Sequence, residues 1–147
     1  MSNLKIIQLL PELNIGGVER GTKDFSKVLV NKGHRSIVIS NGGIFEKDII
    51  NDGGEHIKLP IHKKTLYSLF LSNQLKSIYE REKPDIVHVR SRMPAWINFL
   101  AFKKMPIKPL LVSTFHGLYS TPFYSQVMAK VDHLSLIHIS EPTRLVS

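Results

Sequence analysis

The 147-residue sequence contains no cysteine. That excludes a disulfide framework and thiolate metal sites, and it suits a reducing compartment. Long apolar runs are also missing. The first, within MSNLKIIQLLPELN, is broken by Pro11 and Glu12 after a few residues. It is too short for a secretory leader or a membrane span, so the expected location is cytoplasmic. The histidines form no pair at metal-ligand spacing, and no metal is expected. Acidic residues are few, 12 against 20 lysines and arginines, which leaves a formal net charge of +8. The basic residues fall in scattered groups, HKK at 62–64, VRSR at 89–92 and FKK at 102–104, with no stripe along one helix. No nucleic-acid-binding module is present, and nucleic acid is not an expected partner. Anionic head groups or phosphorylated substrates fit the charge better.

What the sequence does contain is a repeated alternation. Residues 4–10 (LKIIQLL) are a mostly apolar run suited to a strand buried on both faces. A helix is predicted over 18–32, with Val18, Thr22, Phe25, Val28 and Leu29 at helical spacing and Gly33 closing it. Strands follow at 35–40 and 55–61. A helix over 66–83 groups Leu66, Leu69, Phe70, Leu75, Ile78 and Tyr79 on one face. Residues 84–90 (PDIVHVR) read as a strand, 94–104 as a helix with Pro94 in its first turn, and 109–117 (PLLVSTFHG) as a last strand. Trp96 and Phe99 are spaced for core packing. His88 reads as a structural sheet residue, and His34 and His56 as surface residues ahead of strands.

Strand and helix alternating with short connectors imply an α/β, Rossmann-like fold, a parallel sheet with helices on both faces. Open sheets of this kind bind ligands at the carboxyl ends of their strands. The segments that matter are then 11–21, 41–45, 90–94 and 116–121.

The first of these holds the knot NIGGVERG, Asn14 to Gly21. Glycines between a strand and a helix let backbone amides approach a ligand, and the positive end of the helix dipole favours a phosphate. The spacing G-x-G-x-x-G is absent, and Ser40 and Asn41 stand where a ribose-binding acid would follow the second strand. The pattern G-x-x-x-x-G-K-[ST] is absent too. The knot suits a phosphate without suiting a nicotinamide, a flavin or a hydrolysed triphosphate. Two glycines in a tight turn with no ligand are the structural alternative.

The set LPELNIGGVERGTKDFSKVLVNKGHRSIVIS, PDIVHVRSRMPAW and STFHGLYS resembles the N-terminal half of family-four-type retaining glycosyltransferases of the two-domain GT-B architecture. The resemblance covers residues 4 to about 133 and is nearest to enzymes that assemble bacterial surface or lipopolysaccharide-type glycans. It implies that Gly16 and Gly17 face the donor's diphosphate and that His116, in TFHG, is the active-site histidine contacting the transferred sugar. Arg90 and Arg92 would line the acceptor side of the cleft, and Glu19 and Arg20 would orient acceptor or phosphate. It also implies a nucleotide-sugar donor as co-substrate with no other cofactor, and a glycan or lipid-linked acceptor. Peripheral contact with the inner face of the membrane belongs to the same picture. The leaving phosphate would itself serve as the base, so no carboxylate pair is required. The donor-binding C-terminal domain is not in these residues, and the chain alone is expected to be inactive. A non-catalytic Rossmann-like nucleotide- or phosphate-binding module is the competing class.

The last segment fits neither pattern. Leu134 to Arg144 (LSLIHISEPTR) reads like the translation of a transposase-derived sequencing adapter. The expected organisation is a domain over 1–133 and a non-native tail over 134–147 that adds no strand to the sheet.

Overall fold

The computed structural model describes residues 3–62, 67–115 and 137–140. The chain alternates as β1 (Lys5–Leu9), α1 (Gly17–Asn31), β2 (Arg35–Ser40), α2 (Glu46–Asn51), β3 (Glu55–Lys58), α3 (Ser68–Glu82), β4 (Ile86–Val89), α4 (Arg92–Lys103), β5 (Leu110–Phe115) and β6 (Ile137–Ser140). All strand pairs are parallel, in the order β3-β2-β1-β4-β5-β6. The order reverses direction between β1 and β4, which is where an open parallel sheet opens a crevice at its carboxyl edge. The fold class read from the sequence is the fold observed.

The two faces of the sheet differ in chemistry. One carries Ile7, Leu9, Ile37, Ile39, Val87 and Val89 against α3 and α4, closed by Tyr79 and Phe102 at a ring separation of 5.6 Å. This is the main apolar core, and its burial supplies most of the driving force. The other face carries Gln8, Ser36 and Ser40 among its buried residues and is covered by α1 and α2. Here α1 buries Thr22, Ser26 and Leu29 and leaves Phe25 and Val28 exposed, so the apolar stripe expected from spacing is only partly the buried one. The reason is local. Ser26 meets Ser36 across the interface, hydroxyl to hydroxyl at 2.7 Å, and two small polar groups let the helix sit close to the strand. On α3 the buried apolar residues include Leu71, Leu75, Ile78 and Tyr79, with Ser72 buried beside them, and Phe70 is exposed. Leu66 lies outside the described residues.

Three further differences have physical causes. The six-residue α2 follows no helical periodicity in the sequence, because Ile49 alone is buried on it. His56, expected at the surface, has its imidazole packed inside. Its Nε2 bonds Ser40 Oγ at 2.8 Å, and Ser40 Oγ in turn accepts the Gly42 N–H at 2.9 Å. The third is β6, whose residues Ile137–Ser140 pair with Val112–Phe115 where no strand was expected. A β-branched alternation beside the open edge of β5 finds unpaired N–H and C=O groups ready to bond it.

His56 supplies a pH test. Burial pushes its pKa below the ordinary histidine value, against the pull of Glu46 on α2 and with a smaller push from Lys58 on β3. The unfolded chain therefore takes up the proton first, and the stability that rests on the neutral ring is complete at pH 7.5 and shrinks as pH falls below about 6.5. His56→Gln should show a smaller drop in Tm between pH 7.5 and 5.5 than the unsubstituted chain. An equal drop in both would rule out this assignment.

Candidate functional site

After β1 the backbone leaves the sheet through Leu10 and buried Leu13, passes the exposed Asn14 and Ile15, and enters α1 at Gly17. Gly16 is the N-cap, extended at φ 174° and ψ 168°, and no side chain of the cap closes the helix. The first helical bond runs from Arg20 N–H to Gly16 C=O at 3.0 Å, so the amides of Gly17, Val18 and Glu19 precede the ladder. Neither glycine is demanded by the fold. A methyl group at Gly17 would meet nothing within 4 Å, and the nearest atoms to one at Gly16 belong to the flexible Glu19 carboxylate. That carboxylate folds back over Gly16 at the positive end of the helix, a favourable place for an anion. Arg20 is exposed on the same first turn.

The loop 41–45, also marked by its position after a strand, has a different part to play. Leu13 N–H bonds Gly42 C=O at 3.0 Å, Phe45 N–H bonds Leu13 C=O at 3.0 Å, and Asn41 N–H bonds Pro11 C=O at 2.9 Å. It braces the glycine loop from the β2 side. The brace is continued by Leu10, Leu13, Val38, Phe45 and Ile49 as a small apolar cluster.

Across the switch point, Arg90 follows β4 directly, its N–H bonded to Leu9 C=O at 3.0 Å. Its Nε donates to Gln8 Oε1 at 2.9 Å, and its guanidinium lies over the Phe25 ring of α1, 5.8 Å from the centroid. Gln8 is fully buried and also donates from Nε2 to Thr22 C=O at 3.3 Å. Next to Arg90, His88 packs edge-on against Phe25 and bonds Thr114 Oγ1 at 2.7 Å, which agrees with its structural reading. Arg92 is half-buried as the first residue of α4.

Gly16, Gly17, Glu19, Arg20, Arg90 and Arg92 thus all stand at the carboxyl edge, around the β1/β4 crevice. β5 reaches the same edge at Phe115. His116 lies outside the described residues. The contacts that sequence reasoning missed are Gln8, Thr22 and Phe25. Only Gln8 carried a signal, as the one uncharged polar residue inside the run LKIIQLL. Among the described residues, no three His, Asp or Glu side chains gather to hold a metal. A groove of about 490 Å³ lies at the opposite end of the sheet, between Tyr79, Lys83 and Pro84 and the turn Met105–Pro109, and does not touch this edge.

The segment that carries all of these residues except Gln8 falls within a known family. Residues 15–141 match the model for glycosyltransferase family 4. The chain is a member of glycosyltransferase family 4. Among solved structures, a glycosyltransferase from Rickettsia africae ESF-5 is 36% identical, with a TM-score of 0.72 over 83% of this chain and 32% of that one. A Listeria monocytogenes protein assigned as a UDP-N-acetylglucosamine 2-epimerase is 19% identical, with a TM-score of 0.61 over 95% of this chain and 39% of its own. The glycotransferase of kitacinnamycin is 17% identical, with a TM-score of 0.55 over 89% of this chain and 35% of that one. The latter two speak to fold alone. This family 4 chain spans 32% to 39% of the length of these three solved structures. No curated protein sequence matches it at a significant level. No helix among its described residues is long and apolar enough to cross a membrane.

Proposed function

We propose that residues 1–133 form the N-terminal domain of a retaining GT-B glycosyltransferase, which moves a sugar from a nucleotide-sugar donor to a glycan or lipid-linked acceptor. Bacterial surface polysaccharide or lipopolysaccharide assembly is the setting we infer, at the cytoplasmic face of the membrane. The observation that carries the reading is the bare start of α1. Two glycines that the fold does not need stand where amides and a helix dipole meet the β1/β4 crevice, in a chain of family 4.

The chemistry asks for such a start. When the bond between the sugar's anomeric carbon and the diphosphate oxygen breaks, the electron pair stays on that oxygen. Fixed amides and a cation aimed at the developing charge lower the barrier without reorganising. Gly16 and Gly17 supply close backbone approach and Arg90 a cation, and the leaving oxygen takes the acceptor hydroxyl's proton. Glu19 repels phosphate at its present place, so its role is to accept a hydrogen bond from a sugar hydroxyl once the diphosphate has displaced it. Arg20 and Arg92 flank the acceptor side, and His116 contacts the transferred sugar. A second domain supplies most of the nucleotide grip, and 134–147 is adapter-derived.

Reading the source locus past the codon for His133 tests this directly. The expected result is a second Rossmann-like domain with an E-x7-E-like motif in place of LSLIHISEPTRLVS. A stop codon or an unrelated domain would overturn the reading. In that full-length protein, His116→Ala should lower kcat far more than nucleotide affinity. Near-normal turnover would remove His116 from the site.

A further inference from the structure

We infer that Glu46, His56, Ser40 and Gly42 form a proton-operated latch on loop 41–45, and that a proton on His56 releases this loop and the glycine loop tied to it. The inference does not depend on what the β1/β4 crevice binds.

The His56 imidazole is 2% exposed and lies between two partners. Nδ1 stands 3.4 Å from Glu46 Oε1, and Nε2 stands 2.8 Å from Ser40 Oγ. A carboxylate only accepts, which assigns the neutral ring's proton to Nδ1. Nε2 is then the acceptor and takes the Ser40 hydroxyl proton. The Ser40 oxygen in turn accepts the Gly42 N–H at 2.9 Å, two residues on, and so turns the chain at the end of β2. Every donor therefore points the same way, from Gly42 through Ser40 and His56 to Glu46.

A second proton on the ring breaks that order. Nε2 becomes a donor, and the Ser40 oxygen then faces two donors with its own proton displaced. Ser40 is fully buried, where a stranded hydroxyl proton is costly. The hydroxyl must turn to place it. The charged Nε2–H is the stronger donor, so the bond that gives way is the neutral one from Gly42 N–H. Gly42 is also the tie between the two loops. Its C=O takes Leu13 N–H at 3.0 Å, and Leu13 C=O takes Phe45 N–H at 3.0 Å. Leu13 stands three residues before Gly16, so the loosening reaches the start of α1.

The charges that act on His56 are Glu46 from α2, which favours the imidazolium, and Lys58 on β3, which opposes it. Neighbouring β2 meets it with Val38 and Ser40, and loop 41–45 has no ionisable side chain. Burial outweighs Glu46 and holds the ring below the ordinary histidine value of about 6.5. The latch is closed at pH 7.5 and opens as pH falls below that value.

The test is ¹⁵N NMR with amide hydrogen exchange on the 147-residue chain between pH 7.5 and 5, with His56→Gln and Ser40→Ala variants. At pH 7.5 the His56 ring should carry its proton on Nδ1. As the ring titrates, exchange protection at Gly42 and Leu13 should fall about tenfold, the size of one lost hydrogen bond, while Val87 in β4 keeps its protection. Both variants should abolish the step. Ser40→Ala leaves Gly42 weakly protected at every pH, and His56→Gln leaves it protected throughout. If Ser40→Ala fails to fold, His56→Gln carries the comparison. A neutral ring protonated on Nε2 overturns the relay. A ring that stays neutral to pH 5, or one that titrates while Gly42 and Leu13 keep their protection, overturns the latch. So does loss of Val87 protection in step with the other two, since the whole sheet then opens and no loop is released on its own.

Discussion

Gly17→Val is expected to leave the chain folded, with Tm unchanged or slightly raised, and to remove most of its response to pyrophosphate. The stability half follows from open space. A Cβ at 17 meets no neighbour within 4 Å, and as the first residue of α1 the position accepts a side chain without losing a packed contact. The binding half follows from the same geometry seen from outside. If a phosphate binds at the start of α1 as proposed, a branched side chain at residue 17 would stand beside the amides of Gly17 and Val18 and crowd its oxygens. In the full-length transferase proposed above, displacing a donor diphosphate by about 1 Å should cost on the order of a hundredfold in kcat/KM. Amide shift titrations on the chain and turnover on the parent protein measure the two effects. If Gly17→Val unfolds, the glycine serves the fold. If it binds pyrophosphate normally, the loop is not a phosphate loop.

That test separates the two readings the sequence left open, a tight turn or a ligand loop. The glycine pair was visible as a motif, but whether the fold itself needed it could not be read from neighbours in the chain. The strands were legible because buried parallel strands are short apolar runs, as in IIQLL and IVHV. The end of α1 was legible because its signal is local: Gly33 follows, and His34 N–H returns to Leu29 C=O at 2.9 Å. What stayed hidden depends on contacts between distant residues. The burial of His56 is set by Ser40, sixteen residues earlier, and Gln8 acquires its meaning from Arg90, eighty-two residues away. The buried face of α1 was misjudged for the same reason, since Ser26 goes inside only because Ser36 faces it. Loop 41–45 looked like a ligand loop by the strand-end rule. Its partner is the neighbouring loop.

Gly43→Ala should do the opposite of Gly17→Val and harm the fold first. Gly43 has φ +155°, a backbone conformation that side chains resist, and its missing methyl would run into the Leu13 carbonyl carbon and come within 2.7 Å of Asn14 N. Those atoms are main chain, so the clash has no flexible end to yield. The two loops must part, and the bonds from Leu13 N–H to Gly42 C=O and from Phe45 N–H to Leu13 C=O stretch with them. Each such bond contributes about 0.5–1.5 kcal/mol net. The cluster of Leu10, Leu13, Val38, Phe45 and Ile49 beneath them loosens as well. A loss of about 3 kcal/mol is expected, which lowers Tm by about 10 °C in a domain of this size. The change should also be felt at the site. Loop 10–16 is braced here, so the fraction that remains folded should show weaker pyrophosphate shifts at Gly16 and Gly17, although residue 43 contacts no phosphate. A Tm within about 2 °C of the unsubstituted chain would mean that the brace carries no strain. The glycine loop would then owe its position to β1 and α1 alone.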